Sequence, residues 1–485
     1  MSALSELKPG HLWKHFDEIL KIPHGSGHEK ALGEYIIAQA RKNNLSVKKD
    51  KAGNVIVNKP ATAGLENAPG VILQGHQDMV WEKNSDIAHD FLKEAIKPVI
   101  RDGCVYASGT TLGADNGIGV SAALAVMEDE ALAHGPLEFL FTTEEETGLT
   151  GARTIAAGSL KGKYLLNLDS EEEGAFTIGC AGGADSDVAL LLARKASKVK
   201  TAFRLKISGL KGGHSGLNIN EGRGNAIKLL ARVLWQAQAK FPLALVRMEG
   251  GNKHNAIPRE AVADFIAEPA RIKSLSIFLQ AAGDKIRAEY KTIEPELRFA
   301  LDPIELGKKD VPLTAKCQKT LLDFLLGCPH GVTAMHAEIA GLVETSTNLA
   351  ILRTLKDKAS ILCSSRSSVT SALEALRNVI KAVAELAGAK VKQPEGYPGW
   401  KPDLQSPLLK TMKAVHAQVT GKEPRVIAVH AGLECGLIGE KFPGLDMISL
   451  GPEIQYPHSP DERVKIDSVE HFWTLLTTAL RELAR

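Results

Sequence analysis

Val71-Ile72-Leu73-Gln74-Gly75-His76-Gln77-Asp78-Met79-Val80 decides how this chain is read. Its apolar opening reads as a buried strand. A strand ending in Gly-His-x-Asp delivers an imidazole and a carboxylate to the rim of a sheet. In an open α/β sheet, ligands bind along that rim. His76 can then ligate a metal while the carboxylate of Asp78 orients the ring through its other nitrogen. Alone, a strand-end histidine is more simply a structural residue, so the reading depends on what else the chain sends to the same edge.

Three further segments point there. Thr110-Thr-Leu-Gly113-Ala-Asp115-Asn116-Gly117-Ile-Gly119 is a glycine-rich loop leading into a helix over 120–130. By itself Asp115 or Asn116 reads as a helix cap. Leu137–Thr143 is a strand running into Glu144-Glu145-Glu146-Thr147-Gly148. Adjacent carboxylates repel, cheaply on a solvated turn and expensively at a buried strand end unless a cation sits there. Tyr164–Leu168 is a strand ending in Asp169. Alternating strands and helices imply a largely parallel sheet with these ends on one edge.

The bulk numbers admit an ordinary globular protein. The 485 residues exceed one ordinary core, so at least two domains are expected. Hydrophobic residues are 44% and charged residues 24%, with 59 basic against 57 acidic side chains. A net charge of +2 without basic stripes makes nucleic acid a poor partner. No long apolar run suggests a membrane span, and the amino-terminal segment reads as an amphipathic helix, not a signal peptide. Cysteines at 104, 180, 317, 328, 363 and 435 form no C-x-x-C pair and read as reduced thiols of a cytoplasmic protein.

Beyond about residue 190 the pattern changes. An alternating strand over 202–208 leads to Gly212-Gly213-His214-Ser215-Gly216. A helix over 226–239, helical stretches near 270–292 and 312–327, strands over 343–348 and 359–366 and a helix over 370–387 follow. The Pro/Gly-rich run Gln393–Pro402 marks a boundary. Helices over 407–420 and 467–483 and strands over 425–428 and 446–450 complete the chain, with Pro457-His458-Ser459 in a proline-rich loop. The expected architecture is an α/β catalytic domain from segments 1–190 and 395–485, with an α+β domain inserted at 191–394.

His76, Asp115, one or two of Glu144–Glu146, Asp169 and His458 are the candidate ligands. Nitrogen and oxygen donors without thiolate suit zinc, and also manganese or cobalt. Two imidazoles and three carboxylates exceed one zinc's needs and fit two metals about 3.5 Å apart sharing a carboxylate. A spare glutamate then takes the proton of the attacking water.

Gly75-His76-Gln-Asp78, Gly113-Ala-Asp115-Asn116-Gly, Glu145-Glu146-x-Gly148, Asn167-Leu-Asp169, Gly212-Gly-His214-Ser-Gly and Pro457-His458-Ser resemble the signature set of the di-zinc metallopeptidases, which include carnosinases, aminoacylases and carboxypeptidase-G-like enzymes. Asp169-Ser-Glu-Glu-Glu-Gly174, Asn255-Ala-Ile-Pro, His430-Ala-Gly-Leu-Glu-Cys-Gly436 and His458-Ser-Pro-Asp-Glu462 are similar to the aminoacyl-histidine dipeptidase branch, nearly end to end. The resemblance implies a zinc-peptidase-like catalytic domain with a mostly parallel sheet, and an inserted lid that pairs in a homodimer. It implies one zinc on His76 and Asp169, another on Glu146 and His458, and Asp115 bridging them beside a cis bond to Asn116. Glu145 is then the general base and Asp78 the partner of His76. His214 helps hold the oxyanion, and Asn255 and Arg366 hold the substrate carboxylate, with Arg353 as the alternative to Arg366. His430 and Glu434 take a structural or substrate-facing role. The implied substrates are Xaa-His dipeptides, carnosine-like ones among them. The alternatives are an N-acyl amino acid deacylase, a broader di- or tripeptidase and, further off, a non-catalytic peptide-binding protein.

Overall fold

A computed structural model describes residues 3–307 and 309–485. The chain divides into two compact units. One comprises Met1–Cys180, Trp400–Ala428 and Leu433–Arg485, the other Ala181–Gly399 and Val429–Gly432.

The first unit is built on an eight-stranded sheet whose middle is parallel. Val71–His76 lies between Leu137–Thr142 and Tyr164–Asn167, and Asp446–Ser449 continues beyond Tyr164–Asn167, all parallel. Antiparallel neighbours flank this core, with Ser46–Lys49 and Val55–Lys59 on one side and Ala175–Cys180 on the other. Every residue of Val71–His76 and of Leu137–Thr142 is buried, as continuous apolar strands inside a parallel sheet must be. The register sets the site. Thr142 pairs with His76, and Asn167 with Gln74. Two residues past Asn167, Asp169 therefore comes level with His76, and Glu145–Glu146 begin the next turn beyond Thr142.

The helix Ala114–Glu128 begins at these strand ends, where Asn116 Nδ2 donates to the Leu168 carbonyl, and runs back along the sheet to where its Val126 carbonyl accepts from Lys59, paired with Leu137. Its residues from Ala114 to Met127 are all buried, as a helix apolar on every side requires. It starts earlier than the spacing predicts, with Asp115 and Asn116 interrupting its first turn by non-helical torsions and a cis bond between them. Close approach to the sheet depends on two glycines. A Cβ at Gly75 would lie 2.3 Å from Asn116 Oδ1, and one at Gly119 the same distance from the Leu168 carbonyl. Phe16, Phe139, Phe141 and Phe176 lie in the core around this helix and sheet.

A separate four-stranded sheet contributes the last loop. Ile454–Gln455 and Arg463–Lys465 pair antiparallel, and Arg463–Lys465 pairs with Cys104–Ala107. Residues 456–462 form the connection, with Tyr456 and His458 in the left-handed region.

The second unit is a nine-stranded sheet, antiparallel in its registered pairings, with helices Ala226–Gln238, Ile272–Tyr290, Ala315–Gly327 and Thr370–Leu386. Gly182–Leu191 belongs to this sheet, paired with Lys358–Ser367. No helix among the described residues is long and apolar enough to cross a membrane. All six cysteines are free.

Candidate metal centre

The first unit gathers His76, Asp115, Glu145, Glu146, Asp169 and His458. His76 Nδ1 lies 2.9 Å from the backbone carbonyl of Asp78. A carbonyl only accepts, so Nδ1 carries a proton and Nε2 faces the cluster. It meets Asp115 Oδ1 at 3.0 Å and Asp169 Oδ1 at 3.1 Å. Opposite, His458 Nε2 meets Asp115 Oδ2 at 3.2 Å and Glu146 Oε1 at 2.9 Å. Asp115 therefore presents one oxygen to each imidazole.

The donors suit cations. His76, Asp115 and Asp169 form one group, and Asp115, Glu146 and His458 another; within each, one ligand atom per residue lies within 4.8 Å of the others. Glu145 forms a third such group with His76 and Glu146. Asp169 Oδ1 and Glu146 Oε1 are buried, and despite their short approach to imidazole nitrogens neither is aligned to accept a hydrogen bond. Nitrogen and oxygen lone pairs about 3 Å apart repel unless positive charge lies between them. Two imidazoles and a surplus of carboxylates, with no thiolate, fit zinc, cobalt or manganese.

The acid–base shifts show the same surplus. Burial first, then Asp169, Glu434 and Glu146, hold the Glu145 carboxyl well above the usual range against the pull of His76. Burial, with Asp115 and Glu146 adding to it and His76 opposing, pushes Asp169 up to about 6. For Asp115 burial also acts upward, but His458 and His76 prevail and hold it below the usual range. The adjacent carboxylates of Asp115 and Glu146 push His458 up to about 11 against the effect of burial. The raised Glu145, Asp169 and His458 are what a carboxylate-rich pocket does, while the two imidazoles hold Asp115 down.

The carboxylate of Asp78 is placed differently from the sequence expectation. Its Oδ1 is 3.5 Å from His76 Nδ1, farther than its own backbone carbonyl. Its oxygens accept from Ser26 Oγ at 2.8 Å and from the backbone N–H of Glu145 and Glu146 at 2.9 and 3.2 Å. Asp78 thus ties the turn carrying Glu145 and Glu146 to the strand carrying His76. Glu144, in the left-handed region, donates its N–H to Glu29 Oε1.

Two buried glutamates join this centre: Glu434, expected in a structural or substrate-facing role, and Glu462, which the sequence offered only as the end of a motif. Glu434 Oε2 accepts from Gln74 Nε2 at 2.6 Å and Thr142 Oγ1 at 2.8 Å, and Gln74 Oε1 accepts from Asn167 Nδ2. Glu434 therefore ends a polar chain across three adjacent strands. Burial pushes it up to about 7, with Asp169 and Asp78 adding to the rise and His76 and Thr142 opposing. Glu462 accepts four backbone N–H groups of the Asp115 loop. Nothing local marks the bonds of either glutamate, since their partners lie hundreds of residues away in sequence.

The second unit holds the other candidates. His214 Nδ1 accepts from the N–H of Gly216 and Leu217, which leaves Nε2 as the protonated, donating nitrogen. Burial, with Arg366 and His254 nearby, lowers His214 to about 4, so it is neutral. His430 is lowered to about 4 by burial, Arg366 and His214, and its Nε2 lies 2.7 Å from Ser346 Oγ. Arg366 gives one N–H to Tyr397, while its buried Nε has no partner among the described residues. Arg353 instead spends its donors on the carbonyls of Gly250, Leu352 and Gly251. Arg366 thus keeps a buried Nε–H without a partner, whereas three of the five N–H groups of Arg353 are already taken. The carbonyl of Asn255 accepts from Ser215 N–H, which places Asn255 beside the His214 loop.

A parallel sheet with paired imidazole–carboxylate groups on its carboxyl edge defines a metallopeptidase, and the comparisons agree. The model of "Peptidase family M20/M25/M40" matches residues 72–482. The chain belongs to that family. It is 43% identical over 484 residues to the cytosol non-specific dipeptidase of Escherichia coli (strain K12), covering 100% of this chain and 99% of the relative. The crystal structure of aminoacylhistidine dipeptidase from Vibrio alginolyticus superposes with a TM-score of 0.94 at 42% identity, covering 99% of this chain and 98% of that one. Aminopeptidase PepT from Bacillus cereus, at 17% identity and a TM-score of 0.57, covers 99% of this chain and 100% of its own and shares the fold.

Proposed function

We propose that this chain is a cytoplasmic dipeptidase that hydrolyses Xaa-His dipeptides, carnosine-like substrates among them, with two zinc ions. Its relatives named as dipeptidases match end to end. The observation that carries the reading is Asp115, whose two oxygens each face a different imidazole within a different ligand group.

In this reading His76, Asp169 and Asp115 would hold one cation, and His458, Glu146 and Asp115 would hold the other. Cobalt or manganese are substitutes that the same donors accept. Such a pair supplies Lewis acidity, making water more acidic and polarising the scissile carbonyl. Glu145 takes the proton from the attacking water and passes it to the leaving amine. Burial and the neighbouring carboxylates of Asp169, Glu434 and Glu146 raise its affinity for protons, the direction a general base needs. Asp78 holds the Glu145 turn in place. The His214 Nε2–H donates to the carbonyl oxygen as charge develops there. Arg366 and Asn255 bind the substrate's terminal carboxylate, which a guanidinium matches with two parallel donors. His430, beside Arg366, shapes the same subsite. Two copies pair through the inserted segment, as the family resemblance implies.

A substrate panel with and without a chelator tests this. Xaa-His and other dipeptides should be cleaved faster than tripeptides or N-acyl amino acids, and chelation should stop all cleavage. Faster turnover of N-acyl amino acids would make the chain a deacylase. Chelator-insensitive hydrolysis would remove the metals from the mechanism.

A further inference from the structure

We infer that Glu462 is a positioning residue: it clamps the loop carrying Asp115 and ties it to the loop carrying His458, so that one hairpin connection sets both halves of the metal centre. The inference rests on the proposed role of Asp115 as the shared ligand.

The geometry is specific. Glu462 Oε2 accepts from Leu112 N–H at 2.7 Å and Gly113 N–H at 3.0 Å. Its Oε1 accepts from Ala114 N–H at 2.8 Å and Asp115 N–H at 3.3 Å. The side chain is 2% exposed, so no water replaces it cheaply. Two of these donors, Ala114 and Asp115, open the buried helix Ala114–Glu128, and the other two, Leu112 and Gly113, lead into it; unpaired N–H groups at such a start favour an anion. No side chain caps that helix from its N-cap position, Gly113. Glu462 supplies the cap from a distant part of the chain.

The second half of the argument is where Glu462 sits. It ends the connection 456–462 between Ile454–Gln455 and Arg463–Lys465, and His458 lies four residues before it. The clamp therefore fixes this connection against the loop whose Asp115 faces His458. A shift at Glu462 moves Asp115 and His458 relative to each other, and cation affinity depends on that spacing.

Glu462→Gln tests the assignment. An amide keeps the size but offers one accepting oxygen, so two of the four N–H groups then face an NH2 group. Cation affinity is read by competition with a chromogenic chelator, zinc being the probe. Cooperative thermal unfolding of the metal-free protein shows that the variant folds. We expect zinc affinity to fall 10- to 100-fold, and kcat at limiting zinc to fall with it, while KM at saturating zinc stays within twofold of wild type. Zinc affinity within twofold of wild type, with or without a lowered Tm, would make Glu462 a helix cap and nothing more. Glu462→Asp, which keeps the charge but retracts it by one methylene, is judged by the same criterion and decides the matter if the glutamine variant does not fold. Wild-type protein that takes up no zinc would overturn the ligand assignment as well; unchanged affinity in the variants overturns only the clamp.

Discussion

Replacing Glu145 by glutamine will lower kcat for dipeptide hydrolysis on the order of a thousand-fold and leave bound metal unchanged. Glu145 lies in the turn Glu145–Gly148, with its backbone N–H on Asp78. The substitution leaves that bond alone, so the turn survives. It also leaves His76, Asp115, Glu146, Asp169 and His458 in place. What it removes is a half-buried carboxylate held protonatable by burial and by the carboxylates of Asp169, Glu434 and Glu146. A general base contributes roughly 10²- to 10⁴-fold, and an amide cannot accept the proton. The check is kcat beside metal content by mass spectrometry on the same sample. Turnover within tenfold of wild type would place the base elsewhere. Lost metal would instead make Glu145 a ligand, a result its grouping with His76 and Glu146 makes worth excluding.

Asp115→Asn should do more harm, and through a different route. Asp115 gives Oδ1 to His76 and Oδ2 to His458. An amide retains one acceptor and turns the other position into a donor. Whichever way it faces, one ligand group loses its charged oxygen. The expected result is fewer than two cations per chain and a loss of activity on the order of a thousand-fold or more, since the charge shared by both positions is gone. The backbone N–H of residue 115 still reaches Glu462, so the loop should hold and the protein should fold. Metal content and circular dichroism on purified protein separate these effects. Two tightly held cations in the variant would show that Asp115 does not serve both positions.

The strands that build the site were readable because buried parallel strands are written as short apolar runs. Val71–His76, Leu137–Thr142 and Tyr164–Asn167 stand within a residue or two of their expected places. Their carboxyl ends carry the charged residues, and a parallel sheet puts those ends on one edge. Other segments hid themselves. Ala175–Cys180 and Gly182–Leu191 were not expected as strands, yet both are. Gly179 leaves room for Pro402, and Gly182 for the backbone of residues 397–399, so these glycines mark close chain approach instead of a loop. Val343–Thr354 runs six residues past the expected strand end, because its later residues alternate too weakly to show a period. Glu434 and Glu462 both stand in motifs quoted from the sequence, but their bonds were hidden for a simpler reason. Their partners Gln74 and Leu112 lie 360 and 350 residues away, and no local pattern records a bond of that span. Asp78 was noticed for its nearness to His76, while its stronger attachments, to Ser26, Glu145 and Glu146, come only from the fold.

The central claim is that two cations, sharing Asp115, make this chain a dipeptidase. The direct measurement strips the protein with a chelator and titrates it with zinc, recording bound metal and hydrolysis of an Xaa-His dipeptide together. The account predicts no hydrolysis in the metal-free protein and a rise that levels off at two zinc ions per chain. Full activity without metal, or a plateau at one ion per chain, would contradict it.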